Sequence, residues 1–281
     1  MTWRSDSALA RLGLLALLTA GCAPPAAAAD LLDDSWLRGS LGGGAVRWDG
    51  VVLGAQLGYS SMNSDFGNST SSQVAFILRN STLEAEQSPS SWTTLPHDLT
   101  SSQSYGVFLG YNFQTDDNLV FGADISYNRP QKLETAAADS ISRTVTLSDG
   151  TVDGVTITAS SSTKLIDYGT VRGRLGYAIG QFLPYAVFGG AAGRFDYTNT
   201  STVTVVQTPP GGGAPSTFGP VTQTDSQSHK LGYGFLWGLG MDVAITPNLF
   251  LRGEWQYIAF NKVGDIRSTL NTAQVGLGIR F

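Results

Sequence analysis

From Val51 to Phe281 apolar side chains recur at every second position in stretches of about ten residues, the repeat of a β-strand with two unlike faces. Val51, Leu53, Ala55, Leu57 and Tyr59 share one face, with Gly54, Gln56, Gly58 and Ser60 on the other. The same spacing sets Tyr105, Val107, Leu109, Tyr111 and Phe113 against Gly106, Gly110 and Asn112. Leu119, Phe121, Ala123, Ile125 and Tyr127 oppose Gly122, Asp124, Ser126 and Asn128, and Val171, Leu175 and Tyr177 oppose Thr170, Arg172, Arg174 and Gly176. A fifth segment places Tyr185, Val187, Phe195 and Tyr197 against Arg194 and Asp196; a sixth places Phe235, Trp237, Leu239, Met241, Val243 and Ile245 against Gly238, Gly240, Asp242 and Ala244. The last two set Leu251, Trp255 and Tyr257 against Arg252, Glu254 and Gln256, and Ala273, Val275, Leu277, Ile279 and Phe281 against Gln274, Gly276, Gly278 and Arg280.

The second face decides the architecture. In a soluble sandwich it would meet water and be rich in Lys, Glu and Thr, but here it holds Gly, Ser, Asn and a few charges of both signs. That composition suits the narrow interior of a closed barrel, where small residues make room for Arg and carboxylate side chains while the apolar face meets lipid. Tyr59, Tyr105, Tyr127, Tyr177, Tyr185 and Tyr257 are expected in the aromatic girdles at the membrane surfaces.

Connection lengths alternate as outer-membrane barrels require. Thr115–Asn118, Gly180–Gln181 and Thr246–Asn248 are tight polar turns. About 40 residues around Asn63–Ser101, a Ser/Thr/Asp-rich stretch from Pro130 to Thr163, and a stretch around Pro209–Gly213 read as long external loops, with a shorter fourth near Asn261–Leu270. The predicted fold is therefore all-β, an eight-stranded antiparallel up-and-down transmembrane β-barrel with long extracellular loops and both termini on the periplasmic side. The loop residues Phe66, Phe76, Trp92, Leu95 and Phe218 are expected either to cap the barrel mouth or to meet an external surface.

Ahead of the strands, Arg4 and Arg11 flank an apolar core from Leu12 to Ala20, and Ala26–Ala29 precede Asp30. Residues 1–29 read as an export signal, too short to span a bilayer. Leu18–Cys22 approximates a lipobox, so acylation of Cys22 is the alternative to its removal with the signal. Residues 30–47, with Gly42–Gly44, read as a flexible periplasmic lead, and 48–281 as the barrel.

Composition narrows the function classes. Only 14% of the 281 residues are charged, 10% are aromatic and there are 34 glycines, which excludes disorder. A lone cysteine excludes a disulfide scaffold. Scattered basic residues within a net charge of −5 leave no footprint for nucleic acid.

Asp124, Arg172, Arg174, Asp242, Arg252 and Glu254 all fall on the inward face by strand parity and are expected to form a structural charge network in the lumen, since an isolated charge there is costly. The alternative is a narrow porin-like path for small solutes or ions. Catalysis is not expected. His97 and His229 lack the spacing that would join a nucleophile to a base on one strand face. No histidine pair suggests a metal site, the glycines form no phosphate loop, and no cofactor is expected.

Three stretches carry a family resemblance: Trp48–Tyr59; Tyr168–Ala178 running into Leu183-Pro184-Tyr185; and Trp237–Asp242 with Thr246-Pro247-Asn248, Glu254–Tyr257 and Val275–Phe281. They resemble the small alphaproteobacterial outer-membrane barrels of the porin-family or opacity-like type, which are similar to OmpA-type barrels. The first stretch departs from the pattern at Val52, where an aromatic is common. The resemblance implies an outer-membrane location, no catalysis, and a role in envelope integrity or surface interaction. It also implies that the terminal Phe281 is the signal read by the barrel-assembly machinery. The partners expected are outer-membrane lipid and lipopolysaccharide, the assembly machinery, and host or surface ligands reached through the loops.

Overall fold

The computed structural model describes residues 46–93 and 95–281. The export signal, Cys22 and residues 30–45 of the lead lie outside the described residues.

Among the described residues nine antiparallel strands follow one another: β1 (Gly50–Asp65), β2 (Asp98–Gln114), β3 (Leu119–Pro130), β4 (Leu133–Thr146), β5 (Val152–Tyr177), β6 (Phe182–Thr208), β7 (Ser216–Ala244), β8 (Leu249–Phe260) and β9 (Arg267–Arg280). They pair in the order β3-β2-β1-β9-β8-β7-β6-β5-β4, and β3 also pairs with β5. That last pairing, from Leu119↔Tyr177 to Asn128↔Tyr168, closes a ring of eight staves. The ninth strand, β4, is outside the ring: it resumes after the two residues Gln131 and Lys132 and pairs only with the outer half of β5.

Alternation dictates what each face meets. Leu57 is 71% exposed on the outside of β1 while Gln56 beside it is 3% exposed inside. The outward rows of the staves hold Val, Leu, Ile, Phe, Tyr and Trp from the short turns up to Tyr59, Tyr127 and Tyr257. About nine to eleven residues at ~3.3 Å each, tilted by about 40°, give an apolar belt roughly 20–25 Å tall. Trp237 packs edge-on against Trp255 at 4.9 Å and near Tyr257 at 6.1 Å within it.

One stave is turned the other way. Tyr185, Val187, Phe195 and Tyr197 are buried in the barrel, and the outer face of β6 is Phe182, Pro184, Ala186, Phe188, Gly190 and Ala192. Tyr185 is therefore not a girdle residue. Glycine makes the room: a Cβ on Gly240 of β7 would overlap the Tyr185 ring. Tyr185, Val187, Phe195 and Tyr197 of β6 fill the lumen while Phe182, Phe188 and several small residues face outward, so its apolar side chains lie on both faces and hydrophobicity alone assigns them in reverse.

The long connections are also more ordered than polar loops. Residues 133–165 form a β-hairpin, and β6 and β7 stay paired up to Gln207↔Ser216. Thr alternates with Val or Ile along Thr202–Val205 and Val155–Thr158, which is strand chemistry masked by the high Ser/Thr content. Four strands thus rise above the belt as one sheet. The first connection is not strand at all: it folds as α1 (Ser71–Leu78), α2 (Thr82–Gln87) and a 3-10 turn at Pro89–Ser91. Ser81 caps α2, its Oγ accepting from Glu84 N at 3.2 Å. These helices bury Val74, Leu78 and Leu83 with Leu147, Val155, Ile157, Val203 and Val205 of the sheet, a second core separate from the lumen.

Candidate functional site

The lumen is layered. At the end of the short turns Trp48, Val52, Phe108, Val120, Leu183 and Phe250 close it, the Trp48 ring lying edge-on to Phe250 at 6.2 Å. Trp48 is seated by its own backbone, whose N–H donates to Gln114 Oε1 at 2.6 Å. At the outer end Met62, Phe66, Leu95, Leu133, Phe195 and Phe260 form a second apolar layer, with Phe195 and Phe260 in edge contact at 5.0 Å. Of the loop residues, Phe66 and Leu95 thus cap the mouth, whereas Phe76 and Phe218 are 52% and 44% exposed outside it. Trp92 is half-buried against the second core.

Between the layers lie the charges. Asp124 and Arg172 are register partners on β3 and β5, and Arg172 Nε donates to Asp124 Oδ1 at 2.6 Å. Asp242 and Arg252 are register partners on β7 and β8 and share two bonds. Arg174 joins the pairs, donating to Asp242 Oδ2 at 2.8 Å and Asp124 Oδ2 at 3.1 Å. Arg172 also pairs with Glu254. The six residues form one unbroken chain, Glu254–Arg172–Asp124–Arg174–Asp242–Arg252, in which three positive charges meet three negative ones. Every one of these side chains is 2% exposed or less.

Neutral groups complete it. Tyr185 Oη donates to Glu254 Oε2 at 2.9 Å and Gln274 Nε2 to Glu254 Oε1 at 2.7 Å. The Arg174 guanidinium lies 4.0 Å above the Tyr185 ring, and that of Arg252 lies 4.1 Å above Phe108. Arg252 Nη1 and Arg172 Nη2 have no hydrogen-bond partner; the aromatic face beneath Arg252 offsets part of that cost. Tyr185 and Gln274 belong to the site without having been singled out in the sequence. Gln274 carried the inward-parity signal; Tyr185 did not, because its strand reads in reverse.

The histidines stand apart. His97 is exposed before β2, its Nδ1 3.9 Å from Asp65. His229 sits at an irregularity of β7 with φ +58°, its backbone N–H donating to Asp196 at 2.7 Å. Among the described residues no group of three or more His, Cys, Asp and Glu is placed to hold a metal. Phe281 is 72% exposed, tied by its backbone N–H to Val51 O at 2.9 Å.

A closed ring of antiparallel staves with an apolar outside and a charged interior is the geometry of an outer-membrane barrel, and the family model described as outer membrane protein beta-barrel domain matches residues 13–281. The chain belongs to this family. Among solved structures, this outer-membrane barrel is similar to Ail, the attachment invasion locus protein of Yersinia pestis, at 15% identity, covering 83% of this chain and 99% of that one, with a TM-score of 0.35. OprG from Pseudomonas aeruginosa matches at 11% identity over 83% of this chain and 96% of that one, TM-score 0.36. Neisserial surface protein A matches at 13% identity over 82% and 97%, TM-score 0.31. No curated protein matches the barrel.

Proposed function

We propose that this outer-membrane barrel does structural and display work: it anchors an ordered extracellular sheet in the envelope and neither conducts solutes nor catalyses. The observation that carries the reading is the sealed lumen. A conducting path would need water beside its charges, whereas here six charges are packed between apolar layers at both ends. An interior of eight staves is just wide enough for side chains to fill.

On this reading the lipid contacts are those of the belt, Phe281 serves the assembly machinery, and external ligands meet the sheet and the exposed Phe76 and Phe218. Ail has been solved in complex with the heparin analogue sucrose octasulfate. The extracellular part of this chain intersperses Asp98, Glu134, Asp139 and Asp225 with Lys132, Arg143 and Lys230, which favours a mixed polar and aromatic protein surface as partner over a polyanion.

Planar-bilayer recording tests the division between plug and pore. The purified barrel is expected to give no discrete conductance steps. Steps whose ion selectivity changes in Arg174→Gln would replace the structural reading with the narrow channel.

A further inference from the structure

Among the described residues, the extracellular unit buries one carboxylate, Asp153, whose oxygens have no hydrogen-bond partner. Asp153 shares the inner face of β5 with Val155 and Ile157, the face the helical segment covers. Its strand neighbours are Val145 on β4 and Gln207 on β6, the latter presenting its side-chain amide. The hairpin turn adds Leu147 and the acidic Asp149. From the helical side, α2 brings Leu83 and Glu86, whose carboxylate accepts from Ser148 N at 2.9 Å and Ser148 Oγ at 2.6 Å. The basic residues of the same region are engaged elsewhere, Arg79 over the Phe76 ring at 4.2 Å and Arg143 over Trp92 at 5.0 Å. Among the described residues no basic side chain acts on Asp153.

An ionised carboxylate in that setting is unfavourable, and two routes relieve it: take up a proton, or let water in. A cleft lined by Ile77, Leu83, Val205, Gln207 and Phe218 already opens between the helices and the sheet beside Asp153's strand partner, and lifting the helices would extend it to the carboxylate. The helices are held to the sheet by the apolar contacts of Val74, Leu78 and Leu83 and by few polar links. We propose that residues 71–91 are a proton-locked cap, seated on the extracellular sheet while Asp153 is protonated and released as it ionises, uncovering Val155, Ile157, Val203 and Val205 as an apolar strip.

Burial pushes the Asp153 carboxyl above its ordinary range, the repulsion of Asp149 adding to it and the Gln207 amide opposing. The seated state therefore binds its proton more tightly than the open one. Seating is strongest below the ordinary aspartate pKa of about 3.9 and weakens as pH rises from there to the raised value. Across that window the ratio of seated to open cap falls about tenfold per pH unit. The inference rests on the reading that this unit stands outside the membrane, where the pH is that of the surroundings.

The test is hydrogen exchange on the full barrel in phosphatidylcholine nanodiscs between pH 4 and 8, corrected for the intrinsic pH dependence of exchange. Protection within 71–91 and within 152–158 is expected to fall as pH rises, while the stave 51–59 stays protected throughout. Asp153→Asn, neutral at every pH, should keep the cap protected at pH 8, and Asp149→Asn should leave the slope in place. A pH-independent cap in the wild type, or an unchanged slope in Asp153→Asn, overturns the proposal. The wild-type profile is decisive by itself should Asp153→Asn not assemble. Loss of protection in 51–59 would strike the membrane-barrel reading instead and is separately visible as loss of heat-modifiable gel mobility.

Discussion

Asp242 and Arg252 face one another in direct register across β7 and β8, with Arg252 Nε and Nη2 both donating to the Asp242 carboxylate at 2.8 Å. The turn at Thr246–Asn248 sets that register, so this pair is local in sequence. Arg174 is not: it reaches across the lumen from β5 and ties the pair to Asp124. The network therefore consists of one sequence-local pair, Asp242–Arg252, joined through Arg174 to the long-range pair of Asp124 with Arg172, which in turn meets Glu254.

Arg174→Ala should destabilise the folded barrel by on the order of 3 kcal/mol, because it leaves Asp124 and Asp242 each short of a buried counter-charge. Urea unfolding in lipid vesicles reads this as a lowered midpoint with an unchanged slope. An unaltered midpoint would mean that the two pairs stand alone.

Replacing Asp242 and Arg252 together with Leu and Met should cost less than Arg252→Met alone, since the single variant leaves a buried carboxylate short of a partner while the pair of substitutions removes both desolvation costs. The same unfolding assay, run as a double-mutant cycle, checks it; strictly additive losses would contradict a coupled pair.

Tyr185 is a lumen residue, which separates two substitutions. Tyr185→Phe removes one donor from Glu254, which keeps Arg172 and Gln274, and should cost about 1–1.5 kcal/mol. Gly240→Ala forces a methyl into the Tyr185 ring and should cost roughly 1–3 kcal/mol. In the Gly240→Ala, Tyr185→Leu double variant most of that overpacking loss should vanish; a full, additive loss in thermal melts would refute the steric account.

Phe281 carries its side chain into the surroundings and joins the barrel through its backbone N–H. Phe281→Ala should leave the unfolding free energy of refolded barrel within about 0.5 kcal/mol of wild type, as surface changes usually do, while lowering the amount assembled in cells. Equal assembly yields would remove the terminal aromatic from its proposed role as an assembly signal.

Much of this was legible along the chain, for a physical reason. Seven staves have a lipid-facing row of large apolar residues and a lumen row of small or polar ones, so period two assigns both faces at once, including the inward parity of Arg172, Arg174, Arg252 and Glu254. On β6 the rule inverts, because Gly240 opposite leaves lumen space that Tyr185 fills while Ala186, Gly190 and Ala192 are apolar enough for lipid. The tall hairpins were obscured because Ser and Thr read as loop residues, yet they pair well once an adjacent strand supplies the ladder.

The alternation of side chains by itself determined that the chain forms a closed antiparallel barrel with charges turned inward, because a strand offers only two faces and lipid accepts only one kind. Which carboxylate each arginine meets, and that the first connection folds as helices over an outer sheet with Asp153 sealed beneath them, were decided by the tertiary structure alone. Those contacts join residues from distant strands, and their distances depend on ring closure, stave tilt and the packing of glycine against aromatic, none of which is a local property of the chain.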